Sequence, residues 1–153
     1  MKKRIMGAAV GLAAVLVGSL TAIPAHADGF DSARVYYKGD SGSGGYVSAT
    51  LDFRSKTDVV VKNFTVRDVC PGDGHPVRAQ VYWRYPDGGY GDMGKTWKAD
   101  DNGCGSNGTN FGDFRISRSK GMPRVFVMVC TYTKDHGNLR CASGAGRAND
   151  YYR

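Results

Sequence analysis

Val77-Arg78-Ala79-Gln80-Val81-Tyr82-Trp83-Arg84-Tyr85 alternates residue by residue, and Pro86-Asp87-Gly88-Gly89 ends it. Val77, Ala79, Val81, Trp83 and Tyr85 fall on one side, with Arg78, Gln80 and Arg84 on the other. A period of two is the signature of a half-buried strand. The same rhythm recurs on both sides. Val47, Ala49, Leu51 and Phe53 alternate in residues 46–53. Residues 58–69 are rich in β-branched side chains, with Val60, Phe64 and Val66 expected to face inward. Residues 111–117 offer Phe114 and Ile116, and 125–130 are apolar on both faces, as in a central strand. Turn-forming clusters separate these runs, at 70–76, 86–89, 102–103 and 135–138. No segment keeps a helical period. The expectation is an all-β fold: a small immunoglobulin-like sandwich of six or seven strands, with a small barrel as the alternative.

The N-terminus reads as an export signal. Lys2, Lys3 and Arg4 precede an uncharged run from Ile5 to Leu20, then Pro24 and the small-x-small site Ala25-His26-Ala27. Cleavage after Ala27 would leave 126 of the 153 residues, one domain's worth. No later stretch is long enough to span a bilayer, so the mature chain is expected to be secreted and free of the membrane.

Cys70, Cys104, Cys130 and Cys141 are an even set in a chain expected outside the cell, which predicts two disulfides. Three pairings are open. Residues 124–133 and 139 onward look like the arms of a hairpin, and a loop over 134–137 would set Cys130 opposite Cys141. That favours Cys130–Cys141, with Cys70–Cys104 as the remainder.

Of 21 Lys and Arg, three leave with the leader; 18 against 14 acidic residues gives +4 for the mature chain. The basic residues are scattered, so nucleic acid is not an expected partner. Every acidic residue is Asp, in keeping with strands and turns.

Catalytic constellations are weak. Gly39-Asp40-Ser41-Gly42-Ser43-Gly44 resembles the nucleophile segment of chymotrypsin-type proteases. That family places its His and Asp well upstream, and only His75 and His136 remain here after cleavage. Oxidised cysteines supply no thiolate. Asp100-Asp101-Asn102-Gly103 lacks the rest of a calcium loop, and two His with four Cys fit no zinc spacing. No lone Asp stands out in an apolar strand to pair with another for glycoside hydrolysis. No enzyme, cofactor or metal is expected.

Two regions depart from the strand rhythm. Residues 28–45 read as an arm: a strand with Val35, Tyr36 and Tyr37, then the linker-like run 39–45, ahead of a domain at 46–153. The segment 87–112 is a long Gly/Asp/Asn-rich loop holding Trp97 and Cys104, either functional or a decorated hairpin.

The leader, the four cysteines, the Gly/Asp/Tyr-rich composition and the arm together resemble small secreted proteins of actinobacteria. Among them, the architecture is similar to the adaptor subunit of umbrella toxin particles. That resemblance implies a non-enzymatic adaptor whose N-terminal strand docks into a larger secreted toxin protein. Val35, Tyr36 and Tyr37 would then contact the partner, and removing 28–38 would leave a folded domain that no longer binds. The alternative is that Ala33 to Lys38 folds back as an ordinary edge strand. Trp83-Arg84-Tyr85 resembles the inhibitory triplet of tendamistat-type α-amylase inhibitors, which implies a secreted inhibitor of an amylase or protease. Those inhibitors have a cysteine soon after the triplet, whereas Cys104 lies 21 residues beyond Trp83. The inward alternation also draws Trp83 and Tyr85 toward the core.

Overall fold

The computed structural model describes residues 28–38, 41–70, 75–132 and 139–152, with backbone only at 37, 38 and 41–43. The expected leader, residues 1–27, lies outside the described residues. Eleven strands and one 3-10 turn are described: β1 (Gly29–Lys38), β2 (Ser41–Ser55), β3 (Asp58–Val69), β4 (Val77–Arg84), β5 (Tyr90–Asp92), β6 (Lys98–Asp100), β7 (Thr109–Asn110), β8 (Phe114–Ser117), β9 (Arg124–Tyr132), β10 (Leu139–Ser143) and β11 (Arg147–Ala148), with the turn at Asp150–Tyr152. All pairings are antiparallel. The first sheet runs β1-β2-β3, and both β7 and β8 pair with β3; the second runs β10-β9-β4, with β5 and β6 on β4 and β11 on β9. This is the two-layer sandwich that the alternation predicts. Its strand count exceeds the expectation because the 87–112 segment contributes three short strands, β5 and β6 on β4 and β7 on β3, and the C-terminal part adds β11.

The core follows the period of two. Val47, Ala49, Leu51 and Phe53 from β2 meet Val77, Ala79, Val81 and Trp83 from β4 and Val125, Val127 and Val129 from β9. One expectation fails, at β3. Val59 and Val61 are fully buried and Val60 is not, yet Phe64 and Val66 are buried as expected. The cause is Asn63, whose φ of 52° puts a left-handed residue into the strand. The extra residue switches the side-chain parity, so 59 and 61 share a face with 64 and 66. The β2–β3 register also shifts here: Ser48 pairs with Thr65, but Thr50 pairs with Lys62.

Two disulfides close the molecule, Cys70–Cys104 and Cys130–Cys141, with no free cysteine among the described residues. The second joins directly opposed residues of β9 and β10. The hairpin loop expected between them lies outside the described residues. Two cross-links fit an oxidising compartment. No helix among the described residues is long and apolar enough to cross a membrane.

Buried aspartates join the two sheets. Asp31 of β1, 5% exposed, accepts hydrogen bonds from the backbone N–H of Val127 (2.9 Å) and of Gly146 (3.0 Å). It fills the gap where β10 gives way to β11. On the opposite margin, Asp100 of β6 accepts from the N–H of Asp68 (2.8 Å) and the hydroxyl of Thr109 (2.7 Å). Sequence reading missed both. Asp31 shares the parity of Ala33 and Val35, and that was the available signal.

Candidate functional site

β1 is the last strand of the first sheet. Nine of its ten residues pair with β2, from Gly29↔Leu51 to Lys38↔Ser41 with a register shift between Tyr36 and Lys38, and no described strand is bonded to its other side. The arm therefore folds back as an edge strand. Of the run expected as a linker, residues 41–45 are strand: Gly44 and Gly45 lie in β2, opposite Tyr36 and Val35 and opposite Val69 and Asp68 of β3. Glycine is required there, because a Cβ on Gly44 would run into the Val35 carbonyl and one on Gly45 would meet the Val77 and Val129 side chains. Residues 39 and 40 lie outside the described residues.

Pleating divides the β1 side chains between two faces. Asp31, Ala33 and Val35 point into the core. Val35, an expected contact residue, is 4% exposed and is not presented to a partner. Phe30, Ser32, Arg34 and Tyr36 stand on the outer face. Phe30 is 62% exposed, and the Arg34 guanidinium lies over the Tyr36 ring, 4.9 Å from its centre. The side chain of Tyr37 lies outside the described residues.

The outer face divides electrically. At one end Lys62 sits between Asp28 (2.9 Å) and Asp52 (2.6 Å), and Arg54 also bonds Asp52. The lysine holds the Asp28 carboxyl below its usual pKa, and the two carboxylates push the lysine up. At the other end, one row across three strands reads Arg34, Tyr46, Arg67. Arg67 stacks over Tyr46 at 5.2 Å. Neither arginine pairs with a carboxylate among the described residues, although Arg54, Lys62, Arg115 and Lys120 all do. Of this row only Arg34 stands on the edge strand.

The other expected sites are placed as follows. Trp83 is 1% exposed in the core, with Tyr85 packed against it, and only Arg84 of the triplet is exposed. The triplet is thus part of β4 and its flank, not a presented loop. Arg118 covers the Trp83 ring at 4.5 Å. A cleft of about 370 Å³ next to the Cys70–Cys104 bridge is lined by Asp68, His75, Pro76, Asp100, Asp101 and Gly103. The Asp100 carboxylate is already taken by Asp68 and Thr109, which makes it a structural group. No set of three or more His, Cys, Asp or Glu among the described residues could hold a metal ion. Ser41 opens β2, and His136 lies outside the described residues. On the outer face of the second sheet, Tyr82 stacks on Phe126 (5.7 Å) and the exposed Tyr90 meets Phe126 edge-on (6.1 Å). Burial raises the Tyr82 pKa above the ordinary phenol value.

No protein-family model, no curated protein and no solved structure matches this chain.

Proposed function

We propose that the mature chain is a secreted, non-enzymatic binding protein that docks to a larger secreted partner along its N-terminal strand. The observation that carries this is the edge of β1: a ten-residue strand bonded, among the described residues, to a strand on one side only, with the segment from Gly144 to Arg147 against its first residues. An exposed edge of that length is a template for β-augmentation, in which a partner's extended segment adds to the sheet. The resemblance to toxin-particle adaptors supports a secreted toxin component as the partner.

The geometry favours β1 acting in place over β1 leaving the sandwich. Release would uncover Ala33 and Val35 and strip two N–H groups of the Asp31 carboxylate. Each orphaned donor costs about 1–3 kcal/mol. For the same reason, deleting 28–38 is a poor test, since it removes core as well as edge. The inhibitor alternative has no presented Trp-Arg-Tyr contact to rest on.

The test begins with affinity purification of the tagged protein from native culture fluid, with the co-purifying protein identified by mass spectrometry. Hydrogen exchange is then compared in free and bound states. The outer amides of β1 are expected to gain protection on binding. A complex that leaves β1 exchange unchanged, or inhibition of an amylase or protease by the free protein, would overturn the reading.

A further inference from the structure

We propose that the segment received by β1 is acidic: an extended stretch with a carboxylate opposite Arg34 and apolar side chains opposite Phe30 and Tyr36. The inference rests on the docking reading above and names the partner's chemistry. Side chains directly opposed on neighbouring strands lie about 4.5–5.5 Å apart at Cβ, so an added strand is read by what β1 shows on its outer face. That face shows Phe30, Ser32, Arg34 and Tyr36 in order. On the β2 side their neighbours are Thr50, Ser48, Tyr46 and Gly44. Arg34 therefore meets a tyrosine, not a carboxylate, within its own sheet, and its remaining lateral neighbour is the open edge.

The rest of the sheet gives the contrast. Lys62 is held by two aspartates and Arg115 by Asp58. Among the described residues Arg34 is held only by the Tyr36 ring, which fixes the guanidinium without using its N–H donors. Phe30, two turns of the pleat away, leaves a large apolar group uncovered on the same edge. A strand laid beside β1 would cover Phe30 and bring one of its own side chains to Arg34. A basic segment would meet Arg34 as a like charge, while the chain's positive balance draws acidic segments from a distance. Only a polypeptide offers alternating N–H and C=O groups to the edge, so an acidic glycan or a nucleic acid does not fit as well.

Random dodecapeptides displayed on phage would be selected against the purified protein, and a recovered peptide measured by fluorescence anisotropy and hydrogen exchange. The expected result is peptides with an acidic residue at one fixed position that protect β1 amides. Their affinity should fall about tenfold with Arg34→Glu, because attraction across the strand pair becomes repulsion. Arg34→Gln should lose less. Arg140→Glu, an equal charge change on exposed β10, should leave binding unchanged. Peptides that protect β1 without an acidic preference, or that ignore Arg34→Glu, would overturn the acidic inference and leave the docking reading standing. Peptides that bind without protecting β1, or a selection that recovers none, would overturn both.

Discussion

The two margins of the sandwich are sewn by the same device but secured differently. At the β1 margin the Asp31 carboxylate holds Val127 and Gly146, 96 and 115 residues away in sequence, and the disulfide nearby, Cys130–Cys141, links β9 to β10 within the second sheet and does not join the two sheets. At the β6 margin Asp100 holds Asp68 and Thr109, and there the Cys70–Cys104 bridge and the Gly105 N–H to Asp68 carbonyl bond (3.2 Å) repeat the connection. A buried carboxylate between backbone donors is costly to lose where nothing else closes the gap. Where a covalent link stands beside it, part of that loss is recovered. The edge proposed for docking belongs to the margin where no disulfide joins the two sheets, so binding and stability share one strand.

The largest expected effect is Asp31→Ala, which leaves two buried N–H groups unanswered. It should lower unfolding stability by about 3 kcal/mol, read from urea midpoints. A loss no greater than that of Asp100→Ala would break the comparison. Asp100→Ala should cost about 1.5 kcal/mol with the bridge intact. In a Cys70→Ser/Cys104→Ser background it should cost more, and a double-mutant cycle measures the excess. Simple additivity would show that the disulfide does not back up the aspartate.

The third effect concerns Asp58, which differs from both margin aspartates in having a cation as its partner. Hydrogen bonds from Arg115 and from the Ser117 hydroxyl (3.0 Å) hold its carboxyl below the ordinary value. A depressed folded pKa stabilises the protein above the unfolded pKa of about 3.9, and that share is lost as pH falls through the lower folded value. Stability measured from pH 5 down to pH 2 should fall, and Asp58→Asn should flatten that part of the curve. An unchanged slope would count against the pair. Smallest is Asn63→Val, about 1 kcal/mol, because a β-branched residue tolerates the left-handed conformation poorly. Asn63→Gly should be close to neutral.

The faces of β2, β4 and β9 were legible because their patterns obey a period of two without interruption. The Cys130–Cys141 pairing was legible from the hairpin around it. Three features were not. The parity switch at Asn63 leaves a run of valines that reads equally well in either register until the bulge is known. Asp31 and Asp100 look like turn or surface residues because burial of a carboxylate depends on donors supplied from far along the chain. The 39–45 segment has linker composition, yet Gly44 and Gly45 answer a steric demand from Val35, Val77 and Val129. Composition reports chain flexibility, and here close approach between strands used the same residues. Of the candidate site, Tyr36 was named beforehand and Val35 proved to be core. Arg34 was passed over because an unpaired cation is visible only once its cross-strand neighbours are known.

The hydrogen bond from Gly146 to Asp31 ties residue 31 of this chain to residue 146. A polypeptide made from its amino end presents Asp31 early, and its carboxylate must wait in water until residues 127 and 146 have been synthesised. A nascent chain halted short of Gly146 lacks one of the two donors, so the sandwich cannot finish closing part-way through synthesis. The fold thus delays its own completion until Gly146 has emerged.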